Sequence, residues 1–307
     1  MNNSAVHISG LHKSYEDTMA LCGVDLTIED GQFYGLLGPN GAGKTTTIHI
    51  LSGLVLKNQG ITKIYGKDTV KDYRFTRSQL GIAHQELPID WFFPLEKLLY
   101  FHAGYYGITQ KKAKPRVEEL LDRLGLQEKR SSRLRQLSGG MKRRYQLAKA
   151  LVHDPKIIIL DEPTAGVDVE LRHELWDYLR ELHQNGKTIL LTTHYIEEAE
   201  LLCEKVGIID KGKIIKEGSP ADLTRELGKA GINVHITGWN DELNKALSDY
   251  SFILKDNRLH FTVREPEEVM ASIIQILSNH GCHIHSVSTE KSSLEDVFLN
   301  LTGKGIN

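Results

Sequence analysis

The segment at residues 38–45 has the spacing of a phosphate-binding loop. Its sequence, GPNGAGKT, fits the pattern GxxxxGK[ST] and stands between an apolar, strand-like stretch at 32–37 and a helical stretch at 45–54. Glycines let the backbone wrap so that N–H groups face phosphate oxygens, and a helix start adds the positive end of its dipole. We expect the Lys44 ammonium to contact the β- and γ-phosphates and the Thr45 hydroxyl to coordinate Mg²⁺. The expected nucleotide-contacting residues are Gly38, Pro39, Asn40, Gly41, Ala42, Gly43, Lys44, Thr45 and Thr46.

Two carboxylates, Asp161 and Glu162, follow a second apolar stretch at 157–160. Residues at the carboxyl ends of parallel strands face the crevice in which ligands bind. We expect Asp161 to hold Mg²⁺ through water and Glu162 to orient or deprotonate an attacking water. An acidic pair after a strand is usually a solvated strand end, so it gains weight only together with the loop at 38–45. Together the two motifs predict a nucleoside triphosphate hydrolase.

The sequence at 137–144, LSGGMKRR, narrows that prediction. Physical chemistry alone accepts it as a polar loop with a helix cap at Ser138. It also resembles the LSGG signature of the ABC ATPase family, which stands at a helix N-terminus. The resemblance implies that Ser138, Gly139 and Gly140 present a hydroxyl, backbone donors and a helix dipole to the γ-phosphate of ATP bound on a second copy. It therefore implies a homodimer with composite ATP sites, and a monomer that is incompetent.

Four further positions match the family in the order it implies. Gln85 matches the glutamine that contacts Mg²⁺ and the attacking water, and His194 matches the histidine that contacts the γ-phosphate. Asp168 resembles the loop that crosses the dimer interface, and Tyr15 matches the aromatic residue that stacks on adenine. Any one of them alone would more often be a surface or packing residue, and their shared order favours the functional interpretation. The implied catalytic residues are Lys44, Gln85, Glu162 and His194. The implied Mg²⁺ ligands are Thr45, Gln85 and Asp161.

Residues 141–144, 166–170 and 293–299 resemble one branch of the family, the ATP-binding subunits of bacterial ABC-2-type exporters for drugs and antibiotics. The branch implies ATP-driven export of an unidentified substrate through a separate integral membrane permease. It also implies a cytoplasmic protein that is peripheral on the inner face of the cell membrane. Met141 stands where many family members have glutamine, and His84 where proline is commoner. Both departures leave the expected phosphate contacts intact.

Strand-like and helical stretches alternate along most of the chain, beginning with short strands at 6–9 and 23–28. This alternation predicts an α/β fold with a largely parallel sheet, and the resemblance implies a P-loop ABC ATPase core with antiparallel β elements. We expect this core to span residues 1–220, with a helical subdomain at about 86–150. A small accessory α+β domain is expected at 231–307.

Composition limits the alternatives. The 307 residues are 40% hydrophobic and 25% charged with a net charge of −2, so no nucleic-acid partner is expected. No stretch approaches the roughly 20 apolar residues that span a bilayer, and three widely separated cysteines suit a reducing compartment.

The main rival to the exporter interpretation is a soluble ABC ATPase acting on ribosomes or DNA. Such proteins generally carry two cassettes or a long coiled coil, whereas this chain has one cassette and no sustained heptads. A P-loop kinase would have no use for the LSGG segment.

Two weaker stretches allow more than one interpretation. The aromatic residues at 91–93 either pack into the helical subdomain or lie by a groove that receives a helix of the permease. His280, Cys282, His283 and His285 have metal-binding residue types. However, His283 and His285 share one strand face without an acidic partner, so we do not expect a metal site.

Overall fold

The computed structural model describes residues 4–84, 92–165, 167–227, 230–263, 265–290 and 293–303. The chain divides into two compact units, Met1–Gly218 and Ser219–Gly305. The strands and helices of the first unit are β1 (Ser4–Tyr15), β2 (Thr18–Glu29), β3 (Phe33–Leu37), α1 (Lys44–Ser52), β4 (Gln59–Ile64), β5 (Lys67–Asp68), α2 (Tyr73–Ser78), β6 (Leu80–Ala83), α3 (Leu95–Tyr105), α4 (Gln110–Arg123), α5 (Gly139–Leu151), β7 (Ile157–Asp161), α6 (Val169–Gln184), β8 (Thr188–Thr193), α7 (Ile196–Leu202), β9 (Lys205–Asp210) and β10 (Lys213–Gly218).

A six-stranded sheet, in the order β10-β9-β3-β8-β7-β6, forms the centre of the first unit. The neighbours from β9 to β6 run parallel, and β10 is antiparallel to β9. Strands β3, β7 and β8 are buried along their whole length, as parallel strands are when both sheet faces are covered. Their register places Leu37 beside Thr193 and Asp161 beside Thr192, so their carboxyl ends meet at one edge. The predicted largely parallel α/β core is confirmed.

A second sheet, in the order β2-β1-β4-β5, is antiparallel. Strands β1 and β2 form a long hairpin that ends at the pair Tyr15 and Thr18. The predicted strands at 6–9 and 23–28 are too short, because the pairing of β1 with β2 contains several register shifts. Such bulges interrupt the alternation of inward and outward side chains on which the prediction depended.

Helices α3, α4 and α5 pack on one another. Their apolar residues recur at spacings of three and four, which places them on one face of each helix. The buried apolar residues of α3 and α4 are Leu95, Leu98, Leu99, Ala103, Ala113, Val117, Leu120 and Leu121. Among the helices of the described ranges, none is long and apolar enough to cross a membrane.

The second unit is a small α+β structure. Its antiparallel sheet contains β11 (Ala230–Thr237), β12 (Ser251–Lys255), β13 (Arg258–Val263) and β14 (His283–Glu290), in the order β12-β13-β11-β14. Its core contains Ile232, Val234 and Phe261 from the sheet and Ile273 and Leu277 from a helix. Its helices are α8 (Pro220–Leu227), α9 (Glu242–Ala246), α10 (Pro266–Asn279) and α11 (Leu294–Thr302).

Candidate nucleotide site

The loop that follows β3 has a backbone that only glycine can follow at two points. Gly43 has a φ of 111°, and a Cβ added there would lie 2.8 Å from the Ala20 carbonyl oxygen. A Cβ added at Gly38 would lie 2.4 Å from the Ile209 carbonyl oxygen. Gly43 is also the N-cap of α1 and provides no side-chain cap, and the first turn of α1 holds no acidic residue. The N–H groups of this helix start are therefore available to an anion.

The Lys44 side chain lies back along this loop. Its Nζ donates to the carbonyl oxygens of Gly38, at 2.6 Å, and Pro39, at 3.3 Å, and only 5% of the residue is exposed. Burial lowers the pKa of the Lys44 ammonium, while the nearby carboxylates of Glu162 and Asp161 oppose that shift. The loop thus holds a partly desolvated cation where the sequence predicts phosphate.

The two carboxylates at the end of β7 are buried and held differently. Asp161 Oδ1 accepts a hydrogen bond of 2.5 Å from Thr192 Oγ1 on the neighbouring strand β8. Glu162 has a φ of 49°, a left-handed conformation that is uncommon outside glycine, and its N–H donates to the Thr192 carbonyl at 3.0 Å. Thr192 therefore fixes both residues, a role that the sequence did not reveal because it depends on strand pairing.

Three of the predicted catalytic residues meet at this edge of the sheet. Glu162 Oε1 lies 3.6 Å from Lys44 Nζ, and Glu162 Oε2 lies 3.2 Å from His194 Nδ1. The contact between His194 and Glu162 lies within ion-pair distance but lacks hydrogen-bond geometry. His194 Nδ1 therefore has no hydrogen-bond partner among the described residues. A cation and an imidazole thus lie beside one carboxylate, and these are residue types that bind and hydrolyse a nucleoside triphosphate.

The LSGG segment begins helix α5. Ser138 is the N-cap, and its Oγ accepts a hydrogen bond of 3.2 Å from the N–H of Met141. A Cβ added at Gly140 would lie 2.4 Å from Leu171 Cδ2, so this turn packs closely on helix α6. No hydrogen bond or ion pair of the described residues joins Ser138 to Lys44 or Asp161 within the protomer.

Helix α5 nevertheless contacts the catalytic edge through Arg143. Its Nη2 donates to the Glu162 carbonyl oxygen at 2.5 Å, and its Nη1 donates to the His84 carbonyl oxygen at 3.2 Å. Gln146 Nε2 donates to the same His84 oxygen at 2.7 Å. The sequence showed only that the turn after LSGG is basic, so this link was not predicted.

These contacts do not include several other predicted residues that the structure describes. Tyr15 is part-exposed at the tip of the β1–β2 hairpin, with Lys13 Nζ 4.9 Å from its ring centroid. Asp168 is the N-cap of α6 and accepts from the Leu171 N–H at 2.9 Å. Thr45 and Thr46 lie in the first turn of α1. Gln85 and Trp91 lie outside the described residues.

The structure bears on both weaker stretches of the sequence. Phe92 is 78% exposed, so packing into the helical subdomain is wrong for this residue. Among the residues with described placement, no group of three or more His, Cys, Asp or Glu could hold a metal ion.

Comparison with known proteins identifies the family. The ABC transporter family matches residues 21–165, and the family described as the C-terminal domain of DrrA1-3-like ATP-binding proteins matches residues 218–302. The linearmycin resistance ATP-binding protein LnrL of Bacillus subtilis (strain 168) is 33% identical over 96% of this chain and 97% of its own length. The chain belongs to the ABC transporter ATP-binding proteins.

Further comparisons agree with this family assignment. Nod factor export ATP-binding protein I of Rhizobium sp. (strain N33) is 36% identical over 99% of both chains. Among solved structures, the dimeric post-hydrolysis state of the ATP-binding cassette MJ0796, bound to ADP and Pi, is similar. It has a TM-score of 0.65 and 25% identity, over 70% of this chain and 98% of that one. The resemblance noted at the LSGG segment is confirmed, and the protein is an ATPase of the ABC type.

Proposed function

We propose that the protein is the ATP-hydrolysing subunit of an ABC-2-type exporter whose transmembrane pathway is formed by a separate integral membrane permease. The observation that carries this proposal is the meeting of Lys44, Glu162 and His194 at the carboxyl ends of β3, β7 and β8. Relatives named for antibiotic resistance and for Nod factor export support the export direction.

Each member of this group would have its own part in hydrolysis. Lys44 would turn from the loop carbonyls toward the β- and γ-phosphates, whose charge attracts its ammonium. Glu162 would orient the attacking water and accept its proton as the oxygen bonds to the γ-phosphorus and the bond to the β-phosphate oxygen breaks. His194 would contact the γ-phosphate, and it already lies beside Glu162. ADP and phosphate are the products.

The residues present also fit Mg²⁺. Thr45, Gln85 and Asp161 would hold it, since hydroxyl, amide and carboxylate oxygens are the donors that this ion prefers. Asp161 is buried, and the hydrogen bond from Thr192 engages Oδ1, which leaves Oδ2 for the ion or its water. Bound Mg²⁺ would neutralise charge on the β- and γ-phosphates.

The rest of the site would come from the phosphate loop and from a second copy of the chain. Ser138, Gly139 and Gly140 would contact the γ-phosphate bound on the partner, with Asp168 near the shared interface and Tyr15 stacking on adenine. The exposed helix start of α5 supports this arrangement, and so does the dimeric form of the similar cassette MJ0796. The proposed phosphate loop contains Gly38, Pro39, Asn40, Gly41, Ala42, Gly43, Lys44, Thr45 and Thr46.

An aromatic surface supports the permease partner. It comprises Phe92, Phe93, Phe101 and Tyr105, of which Phe92 is 78% and Tyr105 84% exposed. The Phe93 and Phe101 rings lie 5.1 Å apart, and Tyr105 follows Phe101 by one turn of α3. Clusters of exposed aromatic residues mark sites of protein contact. We propose that a segment of the permease covers this surface and holds the protein at the inner face of the membrane.

Two measurements test the proposal. Tagged full-length protein, purified from its own cells in mild detergent, should carry a polytopic membrane protein in near-equal amount. The double variant F101S/Y105S should lose this membrane protein, while I253S, at an exposed apolar residue of the second unit, should retain it.

The second measurement uses E162Q, which should bind ATP and form a dimer in light scattering, with turnover at least about 100-fold lower. Ribosomal or DNA-repair proteins in place of a permease would overturn the transport function, and a monomeric ATP-bound E162Q would overturn the composite sites.

A further inference from the structure

Helix α7 carries a fully buried carboxylate that the proposed mechanism does not use. Glu198 follows His194 by four residues, and none of its surface is exposed. Burying a carboxylate is unfavourable unless hydrogen bonds compensate it. The contacts of Glu198 therefore need a physical reason.

Its two hydrogen bonds come from two other parts of the first unit. Glu198 Oε1 accepts from Thr164 Oγ1 and, at 3.0 Å, from Trp176 Nε1. Thr164 lies in the turn that follows Glu162, and Trp176 lies on helix α6. One oxygen thus joins the segment after His194 to the turn after Glu162 and to α6.

The turn after Glu162 is one that needs such an anchor. Glu162 has a left-handed φ of 49°, which persists in non-glycine residues only where the surroundings hold it. The turn closes through the Ala165 N–H, which donates to the Glu162 carbonyl at 3.2 Å, and the Val167 N–H, which donates to the Thr164 carbonyl at 3.1 Å. Thr164 is fully buried, and its hydroxyl provides a side-chain contact between this turn and α7.

We propose that Glu198 is a positioning residue for ATP hydrolysis. By accepting the Thr164 hydroxyl it fixes the turn that carries Glu162 against the segment that carries His194, and so maintains the 3.2 Å approach of Glu162 Oε2 to His194 Nδ1. This inference rests on the proposed roles of Glu162 and His194. It assigns the Trp176 bond a different effect, the attachment of α7 to α6, which stabilises the unit without setting the catalytic geometry.

The matched variants T164V and W176F separate these two effects in the full-length chain. T164V removes one hydroxyl at nearly constant volume and leaves the Trp176 bond in place. We expect its kcat to fall about tenfold to hundredfold, the effect of a small displacement of a catalytic group. Its KM for ATP should stay within about twofold, since ground-state binding is unchanged. T164S, which keeps the hydroxyl, should restore kcat.

W176F removes the other donor and should lower Tm while kcat, measured well below that Tm, stays close to the wild-type value. E198A should reduce kcat as T164V does. The double variant E198A/T164V should be no slower than E198A, because the Glu198–Thr164 hydrogen bond is already absent in E198A. A wild-type kcat in T164V together with inactive E162Q would overturn the positioning role alone. Wild-type turnover in E162Q would overturn the proposed site and this inference with it. Equal loss of kcat in T164V and W176F would show a merely structural role.

Discussion

Replacing Arg143 with methionine would remove the side chain that joins helix α5 to the turn at Glu162. The guanidinium donates to the Glu162 carbonyl at 2.5 Å, the His84 carbonyl at 3.2 Å and Gln146 Oε1 at 3.0 Å. Methionine keeps an apolar stem of similar reach but has no donor. Because Gln146 Nε2 also donates to the His84 oxygen, that carbonyl keeps a partner. The Glu162 carbonyl keeps the Ala165 N–H, which belongs to the same turn, so the loss falls mainly on the link between this turn and helix α5.

The size of the effect follows from these contacts. A hydrogen bond to a charged group contributes about 1.5–3 kcal/mol to stability. Burial lowers the pKa of the Arg143 guanidinium, although Asp161 and Glu162 oppose that shift, so the charge carries a desolvation cost that methionine lacks. Relief of this cost offsets part of the loss, and we expect R143M to lower the free energy of unfolding by about 2 kcal/mol. In a unit of this size that corresponds to a decrease in Tm of about 4–8 °C.

R143M should also slow catalysis. With the turn no longer tied to helix α5, it can shift, and a shift of about 1 Å can cost up to about a hundredfold in rate, so we expect at least about a tenfold lower kcat. Phosphate release at a temperature well below Tm measures kcat, and calorimetry measures Tm. The matched control is R144M, since Arg144 donates to the Leu124 carbonyl at 3.4 Å and pairs with Glu174, both outside the site. Wild-type kcat and Tm in R143M, or an equal loss of kcat in R144M, would refute the reasoning.

Two further predictions concern the loop and acid stability. Gly43→Ala should abolish binding in a fluorescent-ATP titration, because its φ of 111° strains any other residue and the new Cβ meets the Ala20 carbonyl at 2.8 Å. Gly66→Ala, with a φ of 75° but open space around it, should bind ATP normally, and equal loss in both would contradict the steric argument. Burial lowers the pKa of His102 from its ordinary 6.5 to about 3. Between these values the unfolded chain binds a proton that the folded protein does not, so the free energy of unfolding decreases as pH falls from 6.5 toward 3. H102Q should flatten the acid side of a plot of Tm against pH, and an unchanged slope would show that His102 does not contribute.

Sequence-based prediction was most successful for short apolar strands that end at functional residues. The stretch at 157–160 was predicted as a buried strand, and it lies in β7, Ile157–Asp161. Helix α8 was not predicted, because it lies between the two domains expected from the sequence and contains a single buried side chain, Leu223. The exposure of Phe92 was also undecided, since burial of an aromatic residue depends on neighbours that sequence spacing does not supply.

The sequence by itself determined the phosphate loop and the chemical identity of the site. A glycine-rich turn between a strand and a helix is specified by adjacent residues, so Gly43 and Lys44 could be assigned from local backbone preferences. The tertiary structure decided which side chains meet. The contact of Glu162 with His194 and the bond from Thr192 to Asp161 depend on the register of parallel strands that are distant in the chain. The reason is physical: local preferences fix φ and ψ, whereas the distance between two strand ends is fixed only when the sheet has formed.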